Sequence, residues 1–80
     1  MDRSELVSAL EAAAAAHHEY EEMALGGERD ELWAGFYAAY VLGRLGDFMT
    51  PTALARVLEA VEVDPWAEAA ADDIIVELSS

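Results

Sequence analysis

Eighty residues carry 17 acids against four arginines and no lysine, a formal net charge of −13, yet 55% of them are apolar. This length holds one domain with a thin core, about 60% of the extended-chain surface being buried at this size, and without cysteine no disulfide or thiolate metal site staples it. The apolar content argues against disorder, the lack of Lys and Arg clusters argues against direct nucleic-acid binding, and the longest weakly charged run, Leu32 to Leu42, is far short of the about 20 residues of a membrane span.

The pattern predicts an all-α, compact four-helix domain over residues 1–80, with helices at about 3–25, 31–45, 51–62 and 65–78. Asp2 caps the first, with Glu5 three residues on as its capping-box partner. The alanines at 12–16 favour helix, and Leu6, Leu10, Ala13, His17, Tyr20 and Ala24 recur at spacings of four and three, which is one helical face. Gly26-Gly27 ends this helix near Leu25. Asp30 is the expected cap of the second helix. That helix is apolar nearly all round, through Leu32, Trp33, Phe36, Tyr37, Tyr40, Val41, Leu42 and Leu45, and so is expected at the centre of the fold and buried on several sides. Gly35, Ala39 and Gly43 share a seam on which another helix could come close. Thr50-Pro51 and Asp64-Pro65 each read as a cap followed by proline at the first helical position. Leu54, Val57, Leu58 and Val61 form the stripe of the third helix, and Trp66, Ala70, Ile74 and Leu78 that of the fourth. The β-branched run Ile74-Ile75-Val76 makes its last turns the weakest helical stretch.

The charge is unevenly spread. Residues 1–31 hold nine acids and two arginines, Arg3 and Arg29, a net of −7; residues 32–58 hold Asp47 against Arg44 and Arg56, a net of +1; residues 59–80 hold seven acids and no base, again −7. Two acidic arms thus flank a neutral, apolar centre.

The densest polar cluster is His17-His18-Glu19-Tyr20-Glu21-Glu22. His17 and Glu21, and His18 and Glu22, are four apart and share helical faces, a spacing that can ligate zinc or another divalent ion if a third ligand such as Asp30 joins them. A solvated His18–Glu22 pair and a hydrogen-bonded, half-buried His17 explain the same residues without metal, so no metal or other cofactor is assigned. His17 and Tyr20 fall on the core stripe, where a polar group needs a partner. Tyr37 and Tyr40 are the natural ones. The functional alternative is a pocket or contact surface built from His17, Tyr20, Glu21, Trp33, Phe36, Tyr37 and Tyr40. Four large rings on one short helix also exceed what so small a monomer easily buries, which points to a partner surface. No serine sits beside a base in a nucleophile motif, Ser4, Ser8, Ser79 and Ser80 lying near the termini, and Gly26-Gly27 lacks the lysine of a phosphate-binding loop. The expectation is therefore of a protein that is not an enzyme.

The stretch His17-His18-Glu19-Tyr20-Glu21, Leu25-Gly26-Gly27, Asp30, Trp33 and Tyr37-Ala38-Ala39-Tyr40 resembles a pattern in a family of small helical bacterial proteins: H-x-x-Y-E, a glycine turn, D-x-x-W and W-Y-A-x-Y. The resemblance spans residues 17–45 and departs from the pattern at Ala34, where proline is expected, and at Phe36, where tryptophan is usual. It implies a helical fold and carries no activity.

Three readings follow. The first is a non-enzymatic binding or interaction protein that meets a protein partner or a second copy of itself through the aromatic helix. The second is an inhibitor whose acidic arms imitate the phosphate array of DNA or RNA before a nucleic-acid-binding protein, as anti-restriction and anti-CRISPR proteins do; a strong negative field would steer such an encounter. The third, compatible with the first, is adaptation to high cytoplasmic salt, which tolerates dense like charges. A small metal-binding helical protein is a further alternative. No membrane contact is expected, and residues 1–5 lack the basic-then-apolar pattern of a signal peptide, which predicts a cytoplasmic location.

Overall fold

The structure, a computed structural model, describes residues 1–28 and 30–79. Arg29, counted in the first acidic arm, and Ser80, counted among the terminal serines, lie outside the described residues. Four helices follow one another: α1 (Arg3–Met23), α2 (Trp33–Leu45), α3 (Pro51–Ala60) and α4 (Trp66–Ser79). No helix among the described residues is long and apolar enough to cross a membrane.

Local chemistry sets most of the helix ends. The Asp2 side chain accepts the Glu5 N–H at 2.8 Å and opens α1; Thr50 Oγ1 accepts the Ala53 N–H at 3.1 Å and opens α3 one residue before Pro51. α1 stops at Met23, two residues short of Leu25. The Ala24 and Leu25 N–H groups both return to the Tyr20 carbonyl, and the Gly27 N–H reaches back to the Glu21 carbonyl at 2.8 Å. Gly26 and Gly27 have φ of +64° and +86°, a region that side chains with a Cβ enter only at a cost.

Two ends differ from expectation for a tertiary reason. α2 begins at Trp33 after Leu32, which supplies no side-chain cap, because Asp30 is drawn away to α1. α3 ends at Ala60 because Val61 turns extended and enters the core. The β-branched residues near the end of α4 remain helical to Ser79. Pro65 precedes α4, its carbonyl accepting the Ala69 N–H.

The helices close into a ring. α1 packs on α2 and α4, α2 also on α3, and α3 more lightly on α4. Leu6, Leu10, Val41, Leu54, Leu58 and Ile74 are the largest fully buried side chains. Ala9, Ala13, Ala38, Ala70 and Ala71 are buried among them, and small side chains at these places bring the helix axes close, which is how so short a chain closes a core.

Three stripes are corrected. Tyr20, expected on the inner face of α1, is 40% exposed, and Ala24 lies beyond the helix and is exposed. In the last turn of α1, Tyr20 stacks on Phe36 instead of entering the core. Leu78, expected on the inner stripe of α4, is exposed. Gly35, Ala39 and Gly43 are likewise exposed, and a Cβ added at either glycine would meet nothing within 4 Å. α2 therefore buries the face of Ala34, Ala38, Val41 and Leu42 and leaves its glycine seam open.

The pairing of α1 with α4 also places the two acidic arms side by side. Asp72, read as a solvated surface residue, accepts from the Arg3 guanidinium at 2.7 Å; both side chains are about half exposed, so the pair adds little stability. Uncompensated repulsion between neighbouring helices remains. We expect the melting temperature to rise as sodium chloride is raised from about 0.05 M to about 1 M, where screening shortens to about 3 Å; a melting curve that is flat or falling with salt would show that the arms do not repel across the α1–α4 contact.

Candidate functional site

Where α1 ends and α2 and α4 begin, Asp30 and Leu32 are tied down by side chains. His17 is the one buried polar residue among those described, 6% exposed. Its Nε2 lies 3.0 Å from Asp30 Oδ2; since a carboxylate only accepts, the ring donates there. The second Asp30 oxygen accepts the Leu32 N–H at 2.9 Å, and the Asp30 N–H donates to Glu21 Oε2 at 2.8 Å. One loop residue is thus held by two side chains one turn apart on α1. The expected partners of His17, Tyr37 and Tyr40, are replaced by Asp30 because the glycine turn swings the loop back over α1; Tyr37 meets the imidazole only as a ring edge at 5.3 Å.

The donation from His17 is the main cause that holds the Asp30 carboxyl below the usual carboxylate range, with the Leu32 N–H second. Tyr37 is pushed the other way, upward, by burial first and by the Glu21 charge second, so it stays a neutral phenol.

Above this latch lies an open cavity of about 440 Å³ lined by His17, Glu21, Gly27, Asp30, Trp33 and Tyr37. Its aromatic side is buttressed from α4. Trp33, Tyr37 and Trp66 meet mutually edge to face, with centroids 5.3 Å apart for Trp33–Tyr37, 5.8 Å for Trp33–Trp66 and 5.6 Å for Tyr37–Trp66. Such contacts contribute about 0.5–1.5 kcal/mol each beyond area burial.

The candidate residues therefore divide. His17, Glu21, Trp33 and Tyr37 share the cavity. Tyr20 and Phe36 stack on each other at 5.3 Å and, with Met23, line a separate apolar groove of about 450 Å³; Phe36 still touches the imidazole at 5.0 Å. Tyr40 packs against the core and lines neither. Gly27 and Trp66 were not among the candidates: Gly27 reads as a helix stop, and Trp66 belongs to the stripe of another helix until the ring of helices closes.

The same geometry bears on metal binding. His17 Nε2 faces Asp30, while Nδ1 has Glu21 Oε1 at 3.7 Å; one ring cannot turn both nitrogens to one ion. His18 and Glu22 lie 3.7 Å apart on the surface. No group of three histidine, aspartate or glutamate residues among those described is arranged to hold a metal ion.

The pH dependence of the latch has a definite sign. The folded Asp30 value is depressed, so its stabilisation is complete above the unfolded carboxylate value of about 3.9 and is lost as pH falls through the folded one. Hydrogen-exchange protection of the Leu32 and Asp30 amides should hold above about pH 4 and decline below it. Asp30→Asn should lower protection already at neutral pH and flatten the decline; equal pH profiles in the two proteins would mean that the latch does not hold the loop. Comparison with protein-family models, with curated proteins and with solved structures returned no match.

Proposed function

We propose that the protein is a small, non-enzymatic binding protein whose contact site is the cavity at the α1–α2 turn. The observation that carries this reading is that the cavity walls are held before any ligand arrives. Glu21 and Asp30 are fixed by backbone N–H groups and by His17, and Trp33 and Tyr37 are wedged by Trp66. Walls that need no ordering spare a ligand the entropy of arranging them. The volume lies within the range of small-ligand sites. His17 Nε2, both Asp30 oxygens and Glu21 Oε2 are engaged as positioning contacts, and Tyr37 stays protonated, which suits recognition better than nucleophilic attack. The adjoining Tyr20–Phe36 groove, with Met23 81% exposed, extends the apolar surface in the direction a protein partner would cover.

A second reading keeps a specific support. The adjacency of α1 and α4 gathers the two −7 arms on neighbouring helices, a denser negative surface than two separate coats, and one that imitates nucleic-acid phosphates for a basic partner.

Fragment screening by ¹H–¹⁵N NMR tests the first reading. Hits should shift Asp30, the Trp33 indole and Gly27, and Trp33→Ala should abolish those shifts while far-UV circular dichroism stays helical. Hits that map only to α3 and α4 would sink the pocket. The second reading requires the protein to displace duplex DNA from a basic DNA-binding protein. Neutralising the acids of residues 59–77 should end that displacement, and Trp33→Ala should spare it.

A further inference from the structure

We infer that the cavity takes an organic cation, an ammonium or guanidinium head group seated between the aromatic side chains and the two carboxylates. The inference rests on the binding reading above and names its ligand class.

The first argument is the composition of the wall. Glu21 and Asp30 bring two carboxylates, and Trp33 and Tyr37 bring electron-rich rings, while no arginine is among the described lining residues. An anion would meet two like charges. A neutral apolar ligand would strip water from two carboxylates and return nothing. A cation gains from both kinds of wall, since a ring within about 6 Å attracts positive charge and does so more strongly where water is excluded. The Glu21 charge is already felt at Tyr37, so carboxylate and ring act on the same small volume.

The second argument is an open acceptor. Among the described residues, both Asp30 oxygens and Glu21 Oε2 accept hydrogen bonds, whereas Glu21 Oε1 stands 3.7 Å from His17 Nδ1, beyond hydrogen-bond range. An N–H from an ammonium or a guanidinium can be accepted at that oxygen. A bare divalent ion does not fit as well, because the histidine nitrogens diverge and aromatic walls suit a weakly hydrated cation.

The head group has two sources, a free small amine or guanidine and an arginine or lysine side chain presented by another protein. The test uses ¹H–¹⁵N NMR titration at pH 8 and about 0.15 M sodium chloride, where the diffuse field of the chain is screened beyond about 8 Å. The probes are tetramethylammonium, methylguanidinium, the neutral methylurea, and the blocked tripeptide Gly-Arg-Gly. We expect saturable shifts of Asp30, the Trp33 indole and Tyr37 with the cations and none with methylurea. Glu21→Gln keeps an oxygen to accept the Asp30 N–H and removes only the charge; it should weaken cation binding about tenfold, as should Trp33→Leu. Asp73→Asn, which removes the same charge from the exposed surface of α4, should leave it unchanged.

Tripeptide binding tighter than methylguanidinium supports the inference with a protein side chain as the source. Equal or weaker tripeptide binding supports it with a free small cation. If methylurea shifts the same residues as strongly as methylguanidinium, the cation inference falls and the pocket stands. If Asp73→Asn weakens binding as much as Glu21→Gln, the shifts report the diffuse field and the inference falls. If no probe shifts the cavity while fragments from the screen do, the ligand class is wrong and the binding reading survives; if neither does, both fail.

Discussion

The architecture turns on the bond between a buried histidine and a loop carboxylate. His17 sits on α1, Asp30 thirteen residues later on the loop, and their 3.0 Å contact decides where α2 begins. A histidine in the apolar interface would otherwise cost stability. Asp30 satisfies it, and in doing so forgoes the capping of α2. Glu21 completes the arrangement by accepting the Asp30 N–H, so the turn is clamped at one residue from two places on α1. The cavity, its negative lining and the position of Trp33 all follow from that clamp.

What the chain displays locally could be read from it directly. Asp2 and Thr50 cap their helices through bonds three residues long, so their role shows in the sequence, and the leucines of α1 and α3 mark their inner faces by spacing alone. The partial exposure of the aromatic helix was legible because bulky rings cannot all be hidden in so small a body; Trp33, Phe36, Tyr37 and Tyr40 are all half-buried. Asp30 was not legible in its actual role. As the polar residue before an apolar run it looks like a cap, and only the folded turn brings His17 to it. Trp66 is similar. Nothing near residue 66 reveals that its ring will brace Trp33 and Tyr37; that is a property of the closed ring of helices.

The acidic arms change meaning between chain and fold. Along the sequence they stand on either side of an apolar middle, which suggests two coats. Packing α1 against α4 makes them neighbours, with Arg3 and Asp72 bridging them at 2.7 Å. The apolar middle then emerges at the opposite side, on α2 and α3. The protein presents one strongly negative flank and one nearly neutral one, with the cavity at the end between them.

The open seam of α2 has a consequence of a different kind. Gly35 and Gly43 occupy helical positions with room for a side chain, and each glycine in a helix interior gives up about 1 kcal/mol against alanine. In a domain whose whole margin is about 5–15 kcal/mol, that is a sizeable reserve left unclaimed. The backbone can hold a more rigid protein than this sequence makes of it. The slack lies along the helix that carries Trp33 and Tyr37, so the element that forms the aromatic wall of the cavity is also one that holds unused room for stabilisation.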